Sequence, residues 1–191
     1  DSSSSRGLGD VYKRQALHAT LVVGHRSLPL RLERWIPQSP RADQTWVLMM
    51  PGLGGDPNHF HWLARSLMQA GWPVLVLEHP GSDAAAVQGL LEGRQSFDGA
   101  AALRDRLADL EAVQEAQQRG DLNIPGTEVV LMGHSLGALT ALLASGAELV
   151  PGMAQRCEAA LAGLPLTNLS ELLQCELAAG RVLESLSLIH I

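Results

Sequence analysis

The sequence predicts a three-layer α/β fold with a mostly parallel sheet, and three observations predict it. Short apolar runs alternate with helical patterns, which calls for crossover connections and parallel pairing. Two of those runs, Thr45 to Met50 and Pro73 to Leu77, have the pattern of strands covered on both faces. Of the 191 residues, 46% are apolar and 18% charged, which fits one globular domain with a sizeable core.

The elements follow in order. Leu21 to Gly24 and Leu28 to Ile36 read as two strands joined by a turn at Gly24-His25-Arg26-Ser27. In the second, Leu28, Leu30 and Leu32 alternate with Arg31 and Glu33, which are expected on the wet side. Pro37 to Asp43 is a loop, Thr45 to Met50 a buried strand, and Pro51-Gly52-Leu53-Gly54-Gly55 a Gly-rich turn. A helix then starts with Asp56 as N-cap and Pro57 as first residue. Its Phe60, Leu63, Ala64, Leu67 and Met68 form one apolar stripe, and Gly71 closes it.

Pro73 to Leu77 leads into Glu78-His79-Pro80-Gly81-Ser82, and Asp83 to Ser96 reads as a connection. A long helix from about Phe97 to Gly120 buries Ala100, Leu103, Leu107 and Leu110, with Arg104, Asp105, Arg106 and Asp109 expected on solvated sides. Thr127 to Met132 is a short buried strand. Leu136 to Ala144 is a helix apolar nearly all round, hence expected to be central. Pro151 to Ala179 reads as a helical insertion, with Leu169, Leu172, Leu173 and Leu177 at helical spacing.

The chemistry is concentrated at Gly133-His134-Ser135-Leu136-Gly137. A bare Gly-x-Ser-x-Gly turns up by chance in roughly one chain in seven of this composition. Its context gives it meaning: it follows a strand and opens a helix, the setting of a nucleophile elbow. There the Ser135 hydroxyl projects from a strained turn, while Gly133 and Gly137 stand where strand and helix cross closely. Acyl transfer also needs two N–H donors for its oxyanion. Leu136, after the nucleophile, is one; the loop Pro51 to Gly55 offers the other, with Leu53 the best candidate. That loop lacks both a Lys and the G-x-G-x-x-G spacing, so it is not read as a phosphate cradle.

On these runs, Thr45 to Ala147 resembles the α/β-hydrolase superfamily. With Glu78-His79-Pro80-Gly81-Ser82 it is similar to bacterial proteins described as predicted dienelactone hydrolases and to the platelet-activating-factor acetylhydrolase-like branch. That branch usually has His-Gly-Leu-Gly and Asp-His-Pro-Gly-Ser where this chain has Pro51 and Glu78. The resemblance implies an α/β-hydrolase fold, C-terminally truncated, and a serine hydrolase cleaving carboxylic esters through an acyl-enzyme on Ser135. Ser rather than Cys as nucleophile favours ordinary ester cleavage. Gly54, His79 and His134 are candidate pocket-lining residues. Alternatives are an acyltransferase or thioesterase on the same scaffold, or a non-catalytic binding module.

The triad on this fold runs Ser, Asp or Glu, then His. After Ser135 the only His is His190, and the acidic candidates Glu148, Glu158, Glu171, Glu176 and Glu184 precede no convincing strand. The catalytic Asp and His are therefore expected beyond this chain, which is expected to be inactive alone. His59 and His61, two apart on a helix, do not make a two-His metal site. No metal and no cofactor is expected.

The two ends differ from the middle. The only Lys (Lys13) and only Tyr (Tyr12) lie in the first fifteen residues; between Ala16 and Glu184 every Lys or Arg is Arg. Residues 1–15 and 185–191 resemble translated sequencing-adapter read-through, leaving 16–184 as a partial α/β-hydrolase domain with the insertion at 151–180. That core holds 11 Arg and 18 Asp plus Glu, a net charge of −7. The acidic balance argues against nucleic-acid binding, and no apolar run is long enough for a membrane span. Cys157 and Cys175 read as inert thiols. The expected partner is a small-molecule ester. A cytoplasmic location is favoured, with the natural N-terminus not sampled. Oligomeric state and acyl length are not legible.

Overall fold

The computed structural model describes residues 16–147. The adapter-like ends, the helical insertion, both cysteines and the five late acidic candidates lie outside them. Five strands form one mixed sheet, ordered β1-β2-β4-β3-β5. They are β1 (Leu17–Leu21), β2 (Leu30–Trp35), β3 (Thr45–Met50), β4 (Val74–Glu78) and β5 (Glu128–Gly133). The helices are α1 (His61–Gln69), α2 (Ala84–Leu91), α3 (Gly99–Gln118) and α4 (Leu136–Ala144). Strand β3 pairs in parallel with β4 and with β5, while β2 pairs antiparallel with β4 on one side and with β1 on the other.

Period-2 alternation explains the layers. Trp46, Leu48 and Met50 of β3 point to one face with Leu75 and Leu77 of β4, under Leu103, Leu107, Leu110 and Val113 of α3 and Leu136 and Ala141 of α4. Val47 and Met49 point the other way, with Val74 and Val76, onto Ala64 and Met68 of α1. Both faces of the middle strands are thus covered, which is why they read as continuous apolar runs.

Several expectations are corrected. The first strand lies at Leu17–Leu21, not Leu21 to Gly24, because its residues pair from Leu17↔Arg34 to Leu21↔Leu30. Val22 is exposed, and residues 22–29 form a loop pinned by inward-turned His25 and Arg26. Leu28, expected on the apolar side with Leu30 and Leu32, precedes the strand and is exposed. Glu33 is buried, because His61 Nε2 donates to it at 2.7 Å. Asp56 caps a 3₁₀ turn, Pro57–Phe60, rather than α1 itself. The connection after β4 contains α2, whose N-cap Asp83 accepts from the Ala86 N–H at 2.9 Å. Strand β5 borders the described sheet with Val130 exposed, and Leu142 of α4 is exposed too, so neither element is enclosed by the described residues. Arg106 and Asp109, expected in solvent, are almost fully buried.

Candidate active site

The parallel pairing of β3 with β5 places two turns side by side. Met50 pairs with Gly133, so the chain leaves both strands at the same sheet edge. From β3 comes Pro51 to Gly55; from β5 comes the turn carrying Ser135. The His134 N–H reaches back to the Met50 carbonyl at 3.2 Å and ties the two together.

Ser135 is the N-cap residue of α4, at φ 52° and ψ −119°. This lies outside the ordinary left-handed well of a non-glycine residue and costs about 1–3 kcal/mol. What holds it there is packing. A Cβ on Gly133 would stand 2.2 Å from the Gly137 carbonyl carbon and oxygen, and a Cβ on Gly137 2.2 Å from the Met50 oxygen. Strand, turn and helix therefore cross at a separation that only glycine permits, and the serine between the two glycines is exposed. A Cβ on Gly52 would lie 3.0 Å from the Ser135 Cβ, which fixes how close the Gly-rich loop runs to the serine.

The orientation of that loop follows peptide by peptide. Trans peptides place C=O and N–H on opposite sides, and there is no cis bond here. The Pro51 carbonyl accepts from Arg106 Nη2 at 2.5 Å. The Gly52 carbonyl accepts from the Gly55 N–H at 3.1 Å, which turns the Leu53 N–H outward. The Gly54 N–H donates to the Ser82 carbonyl at 2.9 Å. Among the described residues no acceptor takes the Leu53 or the Leu136 N–H. The first lies on the loop facing the serine; the second belongs to the residue after it, at the start of a helix, where partial positive charge favours an anion.

Behind the loop lies a polar cluster that the sequence reading missed. Asp109 of α3 has no exposure and accepts four hydrogen bonds. Arg26 Nε and Nη2 hold it bidentately at 2.9 and 2.5 Å, His25 Nε2 donates at 2.7 Å, and His79 Nδ1 donates at 2.7 Å. Burial would raise the Asp109 carboxyl, but bonds from His79 and Arg26 outweigh it and hold the group at about 2. For His79, burial and the nearby Arg106 charge push the imidazole down to about 3, against the pull of Asp109. It is therefore neutral and a poor proton acceptor near neutral pH. Its Nε2 is buried with no partner among the described residues. Among the described residues, His79 is buried and braces the turn after β4 through Asp109.

Gly54 lies against Val87 of α2, and His134 is exposed beside Gly52. His59 is exposed on the 3₁₀ turn, while His61 is engaged by Glu33. Among the described residues no three metal-ligating side chains converge. No helix of the described residues is long and apolar enough to cross a membrane.

Comparison with known proteins bears on the family and the fold. Residues 12–185 match the alpha/beta hydrolase family. No curated protein matches the chain. Among solved structures, a ferulic acid esterase from Streptomyces cinnamoneus superposes with a TM-score of 0.53 at 17% identity, covering 65% of this chain and 53% of that one. Esterase 2 of Thermogutta terrifontis, with butyrate bound, gives a TM-score of 0.49 at 15% identity, covering 71% of this chain and 45% of that one. The chain spans about half the length of these structures, and at 17% identity the likeness to the ferulic acid esterase is one of fold.

Proposed function

The chain belongs to the alpha/beta hydrolase family, and from that premise we propose that it carries the nucleophilic half of a serine ester hydrolase. Ser135 attacks the carbonyl carbon of a carboxylic ester. The alcohol leaves, and an acyl group stays on the Ser135 oxygen until water removes it. The N–H groups of Leu53 and Leu136 receive the oxyanion. The observation that carries this reading is the strained, exposed Ser135, packed against Gly52 of the Gly-rich loop, with the Leu53 and Leu136 N–H groups taken by no acceptor among the described residues.

The proton acceptor for Ser135 is assigned to a residue outside those described. Among the described residues, His79 is the histidine buried near the loop; it is held neutral by its surroundings and is too weak a base. The dienelactone-hydrolase-like branch is the subfamily favoured by Glu78-His79-Pro80-Gly81-Ser82, and the substrate is a small-molecule ester. Residues 1–15 and 185–191 are assigned to adapter read-through, a reading that the coding sequence on either side tests directly.

The test is ester turnover. The full-length protein should release p-nitrophenol from short-chain p-nitrophenyl esters, and Ser135→Ala should not. Residues 1–191 alone should match their own Ser135→Ala variant. Equal turnover by full-length protein and its Ser135→Ala variant would overturn the reading.

A further inference from the structure

Arg106 is 1% exposed, and its three hydrogen bonds reach three separate segments. Nη2 donates to the Pro51 carbonyl at 2.5 Å, Nη1 to Ser82 Oγ at 2.8 Å, and Nε to Thr140 Oγ1 at 3.1 Å. Those partners belong to the Gly-rich loop, the turn after β4, and the helix that follows Ser135. All three are neutral oxygens. The buried carboxylate nearby, Asp109, is filled by Arg26, His25 and His79 and has no hydrogen bond to Arg106.

The three contacts are not equivalent. Thr140 Oγ1 also donates to the Leu136 carbonyl at 2.7 Å, and Ser82 Oγ to the His79 carbonyl at 3.4 Å. Each hydroxyl keeps a backbone partner without Arg106. Among the described residues, the Pro51 carbonyl has no other donor. Removing the guanidinium therefore orphans one group in particular: the carbonyl that starts the loop carrying Leu53. An unpaired buried carbonyl turns to find a donor, and the peptide plane turns with it.

Resting on the ester-hydrolase reading, we infer that Arg106 is a positioning residue for the oxyanion hole. It locks the Pro51–Gly52 peptide, so that the next peptide presents the Leu53 N–H to the oxygen on the substrate carbon that Ser135 attacks. Its bond to Thr140 references the same loop to α4, which carries the Leu136 N–H. One cation thus sets the two donors relative to each other. Its charge also lies behind the loop, uncompensated by a direct carboxylate partner, where it favours negative charge developing in front. Burial draws the guanidinium down to about 9, so it stays charged at neutral pH.

The test uses the full-length protein and a small fluorophosphonate, separating the maximal rate of Ser135 phosphonylation from the concentration that half-saturates it. Arg106→Met should lower the maximal rate by about 100-fold, the scale of a lost oxyanion donor, with half-saturation changed less than about 3-fold. Arg106→Lys, which keeps one donor, should recover part of the loss. Leu110→Ala, buried on the same helix with no hydrogen bond to the loop, should lower Tm without this drop in rate. A folded Arg106→Met protein with wild-type rate would overturn the inference. Should Arg106→Met not fold, Arg106→Lys against Leu110→Ala decides it the same way.

Amide exchange separates the two claims. The Gly54 and Gly55 N–H groups should exchange at least about 10-fold faster in Arg106→Lys than in Leu110→Ala. No such difference overturns the positioning role. No adduct on the wild type overturns the ester-hydrolase reading, and the exchange result then still decides whether Arg106 holds the loop.

Discussion

The elbow and the cluster behind it are built on opposite terms. At the elbow the proposed nucleophile is exposed, its backbone is strained, and its proposed oxyanion donors are main-chain N–H groups without partners among the described residues. Behind the loop every oxygen lone pair of Asp109 is used, and charged side chains sit nine-tenths buried or more. One region stores strain in return for reactivity; the other spends its polar groups on rigidity. Mutations should therefore separate them. Changes at the elbow cost chemistry and can raise stability, whereas changes in the cluster cost stability first.

The largest expected effect is Ser135→Ala in the full-length protein, which should bring ester turnover to background while Tm changes little. Next is Asp109→Ala. It leaves Arg26 with only the half-exposed Asp105 carboxylate, at 3.1 Å, and losing the buried partner should cost about 3 kcal/mol, read as a fall in the denaturation midpoint.

Of the two regions, acid should act on the cluster. The folded value of His79 lies at about 3, below its ordinary 6.5, so the unfolded chain takes up a proton in that window and the folded chain does not. Stability should be full above about pH 6.5 and decline as pH falls toward 3, by at most ~1.4 kcal/mol per pH unit. Asp109, depressed to about 2 from 3.8, adds a further loss as pH drops below about 4. In His79→Asn the decline between pH 6.5 and 4 should flatten, which denaturation at a series of pH values would show. The smallest effect has the opposite sign. Ser135→Gly relieves a conformation that glycine tolerates and should raise stability by about 1 kcal/mol, although it destroys the nucleophile. A loss of stability there would mean that the elbow is not strained as its dihedrals indicate.

The two regions also differ in how far the sequence reveals them. The elbow is legible because its determinants are local: a strand, two glycines around a serine, and a helix, within fifteen residues. Strands β3 and β4 are legible for the same reason, since burial on both faces writes a continuous apolar run. The cluster is not legible locally. Arg106 and Asp109 are charged residues in a helix that already has an apolar stripe, and the partners that let them be buried lie far off, at Arg26, Pro51 and His79. Periodicity held a faint signal. Arg106 stands three after Leu103 and four before Leu110, and Asp109 four before Val113, at the border of the buried face. Glu33 was misread because its partner His61 is on another layer. Helix α2 was missed because it is short and lacks a clear polar face, leaving the Asp83 cap as its one sequence sign.

The central claim is that Ser135 is a nucleophile prepared by its backbone. Treating the full-length protein with a fluorophosphonate and mapping the adduct by mass spectrometry tests it most directly. The account predicts one adduct, on the peptide containing Ser135, absent from Ser135→Ala. An unmodified Ser135, or an adduct that persists in Ser135→Ala, would contradict it.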